Sequence, residues 1–232
     1  MIEPLVPIQH SWALSEAEAM ALQTRLAGLA ATAPPISLSD VSVVAGLDVS
    51  YDDNAGLAYA AVVAYTYPDL EPLGQAALTL PSAMPYIPGL LSFREAPPLL
   101  EALAALPIQP DLLLCDGHGT AHPRRFGLAC HIGALTGLPS VGCAKSWLLG
   151  AYDEPGPEIG DQSELRESGE VIGVALRTRR NSRPLFVSPG YRVTRAQAVE
   201  VTLRLLRGAR LPEPARAADR LAAATRRAYT AS

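Results

Sequence analysis

Four apolar residues, Leu112-Leu113-Leu114-Cys115, stand between Pro110 and Gly117 and pass directly into Asp116. A run this short, apolar on both alternating faces, suits a strand buried in a parallel sheet. Parallel neighbours need crossovers, and crossovers cover the sheet with helices. The flanking sequence supplies them: residues 97–106 and 126–136 read as helices, and 140–144 as another buried strand. Upstream, residues 41–49, 57–67 and 73–80 are rich in β-branched and apolar side chains, with a turn at 52–56. They read as an antiparallel meander. Ser15 with Glu18, and Thr194 with Gln197, have capping-box spacing. They open helices that run to about Ala30 and, through Leu203 and Leu206, to a stop at Gly208. Residues 171–177 and 185–187 read as later strands, and Pro214 opens a last helix carrying Asp219. Pro, Gly and acids crowd residues 153–169, which read as a flexible loop. The expected class is α/β: a mixed sheet, an antiparallel meander followed by parallel strands, with helices on both faces, in one domain over residues 1–232.

Composition narrows the function. At 49% hydrophobic residues the chain can bury a core, and it has no polar low-complexity tract. No apolar stretch is long enough to span a bilayer, and residues 1–12 lack the basic-then-apolar pattern of a signal peptide. A cytoplasmic protein without a membrane partner is expected. The odd set Cys115, Cys130 and Cys143 reads as small buried hydrophobes of a reducing compartment, not as disulfides or a zinc site. A net charge of -4 argues against nucleic acid. Basic clusters at Arg124-Arg125, residues 177–183 and residues 192–227 argue for it, and acids that hold metal ions count against the formal sum. Of 19 basic side chains only Lys145 is lysine. A lone lysine in an arginine-biased chain points to a place where a compact ammonium serves and a planar guanidinium does not.

Five segments could carry chemistry. Asp48 and Asp116 each follow an apolar strand run, and open α/β sheets put their ligand sites beyond strand ends. If the two strands are neighbours, both carboxylates meet at one point and call for a divalent cation that prefers oxygen. The structural alternative is a bulge or cap at Asp48 and a turn at Asp116. In Met84-Pro85-Tyr86-Ile87-Pro88-Gly89 the prolines stiffen a loop with Tyr86 near its tip. A rigid aromatic suits base stacking; the alternative is a turn whose tyrosine packs back. Glu95, in Ser92-Phe93-Arg94-Glu95, either completes a metal site or favours a helix start. In Asp116-Gly117-His118-Gly119 the glycines allow close backbone approach to a ligand. His122 follows, and Arg124 and Arg125 stand where a helix start could hold phosphate. Lys145 ends the strand at 140–144; beside the Asp116 strand it could offset charge on a phosphate, and otherwise it is a solvated side chain.

Taken together these motifs resemble endonuclease V. The likeness runs from about Val41 to Ala222 and rests on residues 84–89 with 92–95, residues 116–127 with His131 and Gly133, residues 142–145, and residues 210–214 with Arg216. The element order already fits a ribonuclease-H-like topology, and the resemblance implies that fold. It implies an Mg2+- or Mn2+-dependent endonuclease acting on damaged DNA, double- or single-stranded. Such an enzyme recognises deaminated bases, chiefly hypoxanthine, and hydrolyses the second phosphodiester bond 3′ to the lesion, leaving a 3′-hydroxyl and a 5′-phosphate. Carried over residue by residue, Asp48 and Asp116 are the metal ligands, Glu95 the third acid and Lys145 the catalytic lysine. By the same resemblance Tyr86 looks like the wedge, and Gly89, Leu91 and Gly117 resemble the residues of the base pocket. His122 resembles a histidine near the site, and Asp219 falls where relatives carry His or Asp near the metal. An inosine-specific endoribonuclease, and a binding protein of the same fold without catalysis, are the rival expectations. A phosphotransferase is a third, but no phosphate-cradling Gly-rich loop opens a helix.

Overall fold

A computed structural model describes residues 9–82 and 84–230, so most of the segment read for a signal peptide lies outside the described residues. The first helix, α1 (Glu16–Ala31), is opened by the Ser15–Glu18 capping box, and its C-cap is Thr32. Three strands follow, β1 (Val43–Asp52), β2 (Leu57–Thr66) and β3 (Pro72–Pro81), paired antiparallel as the expected meander. Helix α2 (Leu91–Ala104) leads to β4 (Leu112–Cys115), and α3 (Leu128–Thr136) leads to β5 (Ser140–Ala144). Strands β6 (Gln162–Glu167), β7 (Glu170–Leu176) and β8 (Leu185–Tyr191) complete the sheet, before α4 (Arg195–Arg204) and α5 (Glu213–Thr230). The eight strands form one sheet in the order β3-β2-β1-β4-β5-β8-β7-β6. β1, β4 and β5 run parallel, and the rest pair antiparallel. No helix among the described residues is long and apolar enough to cross a membrane. The three cysteines are buried and free.

Side-chain alternation divides the core between two faces. Val44, Leu112, Leu114 and Val141 pack with Ala198 and Val201 of α4 and with Leu205, its C-cap. Their neighbours Ala45, Leu47, Leu113 and Cys115 pack on the other face with Leu99 of α2 and Ile132 of α3. α5 joins the α4 side, where Ala217 and Ala218 meet Val63.

Three expectations are corrected. Asp48 is not a strand end: β1 continues to Asp52 because β2 goes on pairing with it after the shorter β4 has stopped. Residues 153–169 are not all loop, since β6 adds an edge strand there by pairing with β7. Helix α2 begins at Leu91, six residues before position 97, and carries Pro97 and Pro98 inside it. Proline breaks a helix by removing a donor and leaving a carbonyl unpaired. Here the carbonyl four residues before Pro98, that of Arg94, accepts the Tyr51 hydroxyl at 3.2 Å. A partner from β1 replaces the missing helical bond.

α5 lies directly on β1. A side-chain carbon at Gly46 would fall 2.1 Å from the carbonyl carbon of Pro214, so only glycine admits this approach. Gly46→Ala must push backbone against backbone. Overpacking of this kind costs about 1–3 kcal/mol, and we expect thermal unfolding to show a Tm lower by roughly 2–12 °C. A midpoint within about a degree of wild type would mean that α5 does not rest on this strand.

Candidate active site

The acid cluster follows from strand register. Leu47 pairs with Cys115 in the parallel ladder, so the next residues, Asp48 and Asp116, stand side by side where β4 ends. The Asp116 amide donates to the Leu47 carbonyl at 3.3 Å. Both aspartates continue the face of Val44, Gly46, Leu112 and Leu114, the face that α5 covers. The close seat of α5 on Gly46 brings Asp219 to them, and one carboxylate oxygen from each of Asp48, Asp116 and Asp219 lies within 4.8 Å of the others. Lys145, one residue past β5, sets its Nζ 2.5 Å from Asp116 and 3.0 Å from Asp219.

Like charges this close oppose ionisation. Burial, then the Asp116 charge, pushes the Asp48 carboxyl up to about 8. Burial also raises Asp116, against the lowering pull of Lys145. Glu95 comes from α2; burial first, then Asp48 and Asp116, pushes it well above the usual carboxylate range. Burial would lower the Lys145 ammonium, but contact with Asp116 and Asp219 outweighs it and the net direction is up. The donor set fits a hard divalent cation: three converging carboxylates whose repulsion is only partly offset by one ammonium.

A cavity of about 300 Å³ adjoins the cluster, lined by Tyr86, Gly89, Leu91, Gly117, Asp116 and Lys145 among others. The sequence-predicted pocket residues therefore share one cavity with two of the acidic-site residues. Gly89 has a φ of +79°, a left-handed conformation that favours glycine. Its carbonyl accepts three donors: His122 Nε2 at 3.0 Å, Arg124 Nη2 at 2.6 Å and Gln23 Nε2 at 3.2 Å. Burial, then the Arg124 charge, lowers His122 to about 4. It is thus neutral at physiological pH, donating from Nε2 while Nδ1 accepts the Arg124 amide at 3.3 Å. Met84 and Ile87 pack against the cluster of Leu22, Leu26, Phe93 and Phe126, while Tyr86 is left 58% exposed instead of packing back.

The two arginines are engaged elsewhere. Arg124 binds Gln23 and Gly89, and Arg125 pairs with Glu170 at 2.9 Å. Both precede α3, which starts at Leu128 rather than at 126. Sequence reasoning missed Gln23. It is fully buried on the face of α1 that carries Ala19, Leu22 and Leu26, and an amide among those apolar residues was the available signal. It also missed Trp147, 55% exposed at the cavity edge.

Comparison with known proteins agrees with this geometry. The family model described as Endonuclease V matches residues 25–220. An endonuclease V of Roseiflexus castenholzii is 47% identical over 214 residues, covering 92% of this chain and 94% of its own. The crystal structure of endonuclease V from Streptomyces avermitilis aligns with a TM-score of 0.88 at 41% identity, over 97% of this chain and 99% of that one. Endonuclease V of Ciona intestinalis, in complex with a 24mer DNA containing an inosine followed by a ribo-adenosine, aligns with a TM-score of 0.79 at 27% identity, over 92% of this chain and 98% of that one. With its mixed sheet of ribonuclease-H-like fold and its converging acids, this chain belongs to the endonuclease V family of nucleases.

Proposed function

We propose that the chain is a DNA repair endonuclease that accepts a deaminated base, chiefly hypoxanthine, in the cavity at Gly89, Leu91 and Gly117. It hydrolyses the second phosphodiester bond on the 3′ side, leaving a 3′-hydroxyl and a 5′-phosphate. One observation carries this reading: cavity and acid cluster share Asp116 and Lys145, so a base held in one keeps its own backbone beside the other. A cavity of about 300 Å³ lies at the small end of ligand sites and suits a single base. Extruding that base costs a few kcal/mol of stacking, less when it is mispaired. The inosine in the DNA bound by the Ciona relative supports the lesion. The ribo-adenosine beside it is the reason to test RNA as well.

Asp48, Asp116 and Asp219 would hold Mg2+ or Mn2+, which when bound polarises a phosphate and lowers the pKa of water. Lys145 keeps its proton throughout the physiological range because two carboxylates hold its ammonium. It therefore acts as a fixed positive charge beside the scissile phosphate, not as a base. Glu95 adds a fourth acid, from α2 on the other face of the sheet. Tyr86, exposed on a loop anchored by Met84 and Ile87, would cover the gap left in the duplex. Nicking of a duplex with one deoxyinosine, with and without Mg2+ and beside a matched RNA, tests the reading. No Mg2+-dependent nick one nucleotide past the lesion would sink it.

Asp48→Asn and Asp116→Asn should abolish nicking. The native Asp48 carboxyl is raised to about 8, so between the unfolded value and that pH the native state binds more protons. Metal-free stability then falls as pH rises through this window. Asp48→Asn removes the penalty, and its metal-free Tm at pH 8 should exceed wild type by a few degrees. An unchanged or lower Tm would show that the acids do not repel as described. Lys145→Arg keeps the charge but not the point geometry and should cost about a hundredfold in turnover. Cleavage within a few-fold of wild type would make Lys145 a surface charge.

Base–aromatic stacking is worth about 1–3 kcal/mol, so Tyr86→Ala should weaken duplex nicking by roughly ten- to a hundredfold, with Tyr86→Phe near wild type. A single strand has no gap to fill and should suffer less. Equal loss on both substrates would make Tyr86 a pocket wall.

A further inference from the structure

On the far side of Lys145 from the base cavity a second groove opens, about 910 Å³ in volume. Lys145, Ser146 and Trp147 line both hollows, so they are continuous across the catalytic lysine. The groove is built rigidly. Arg177, 6% exposed, donates to the carbonyls of Pro155 and Gly156 at 2.7 and 2.9 Å and also to Ser182, tying together the two segments that flank it. Arg210 Nη2 joins the carbonyls of Lys145 and Pro184, each at 2.6 Å. Trp147 is 55% exposed, yet its Nε1 donates to Gly150 at 3.0 Å, so the ring is held while remaining open to solvent.

Its charge is unbalanced. Glu154 is the one carboxylate of the lining, and Arg177 already pairs with it at 2.6 Å. Arg183 is exposed, forms no ion pair among the described residues, and repels Arg210, whose own pKa burial and this neighbour lower. A fixed open indole beside an uncompensated guanidinium, next to Lys145, is the chemistry that grips a single strand: base on aromatic, phosphate on cation. An unphosphorylated peptide would offer less to a surplus of guanidinium groups.

We propose that this groove binds the strand on the 3′ side of the scissile phosphate, with Trp147 stacking under a base and Arg183 holding a phosphate. The direction rests on the reading given above: the cut is 3′ to the lesion, so backbone that leaves the base cavity past Lys145 runs toward the 3′ end. The groove would then retain the product that begins with the new 5′-phosphate.

The test needs no cleavage. The chain has two tryptophans, so Trp12→Phe leaves Trp147 as the sole indole. A 5′-phosphorylated, undamaged single-stranded DNA oligonucleotide should quench its emission on binding. Arg183→Ala should weaken that binding about tenfold and flatten its salt dependence by about 0.7 in log–log slope, as for one phosphate contact. Arg183→Lys should recover part of both. In cleavage assays, inosine strands extended several nucleotides past the scissile bond should show a lower KM than strands ending there. Arg183→Ala should lose that gain while kcat stays near wild type, and Trp147→Ala should lose the gain as well. Absence of quenching, an Arg183→Ala affinity equal to wild type, or a length gain found on the 5′ side instead overturns the proposal. A protein that quenches as expected but cuts no inosine strand overturns the functional reading and leaves the groove standing.

Discussion

The parallel pairing of β1 with β4 is the constraint on which the candidate active site depends. It fixes Leu47 opposite Cys115 and so forces Asp48 and Asp116 together at the point where β4 stops. The ladder fixes the two backbone positions side by side, so the carboxylates start from neighbouring Cα atoms whatever their rotamers. The protein answers with position: α5 descends on Gly46 and adds a third acid, Asp219, and β5 ends so that Lys145 reaches two of the three. The outcome is a site held in repulsion, with Asp48 raised to about 8, which an added positive charge would relieve. Such stored repulsion is a common property of sites that take up cations.

The loop side of the cavity is built on the opposite principle, full satisfaction. The Gly89 carbonyl takes three donors, and the histidine and arginine among them hold each other through the backbone. Gln23 ties α1 to this carbonyl and to the carbonyl of Phe126 at 3.2 Å, so one buried amide joins the first helix, the proline-stiffened loop and the approach to α3. The loop is organised before any ligand arrives. That lowers the entropy lost on binding and leaves Tyr86 as its projecting element. A tense acid cluster and a relaxed, hydrogen-bonded loop meet along the cavity that shares Asp116 and Lys145.

Where sequence reasoning fell short, one side of an interaction was missing from the local window. Proline at 97 and 98 looked like a helix start because the hydroxyl that satisfies the Arg94 carbonyl sits on Tyr51, far back in the chain. β6 looked like loop because its polar, acidic sequence belongs to an edge strand, whose pairing depends on β7. Gln23 looked like one more residue of an amphipathic helix, since its partners lie on segments 66 and 103 residues away.

What the sequence by itself determined is the alternation of two elements and the chemistry of Asp116 and Lys145 where β4 and β5 end. Apolar runs of strand length, capping boxes at Ser15 and Thr194, a loop stiffened by Pro85 and Pro88, and the acid that follows buried β4 are local patterns, and local patterns survive translation into structure. Only the tertiary structure decided which of those acids meet. Asp219 stands 171 residues after Asp48 in the numbering and joins it because Gly46 lacks a side chain that would hold α5 away. Lys145 becomes a shared cation of two aspartates because β5 lies next to β4. Convergence of charges over a few ångströms is set by register and close packing, and neither is written in any single stretch of residues.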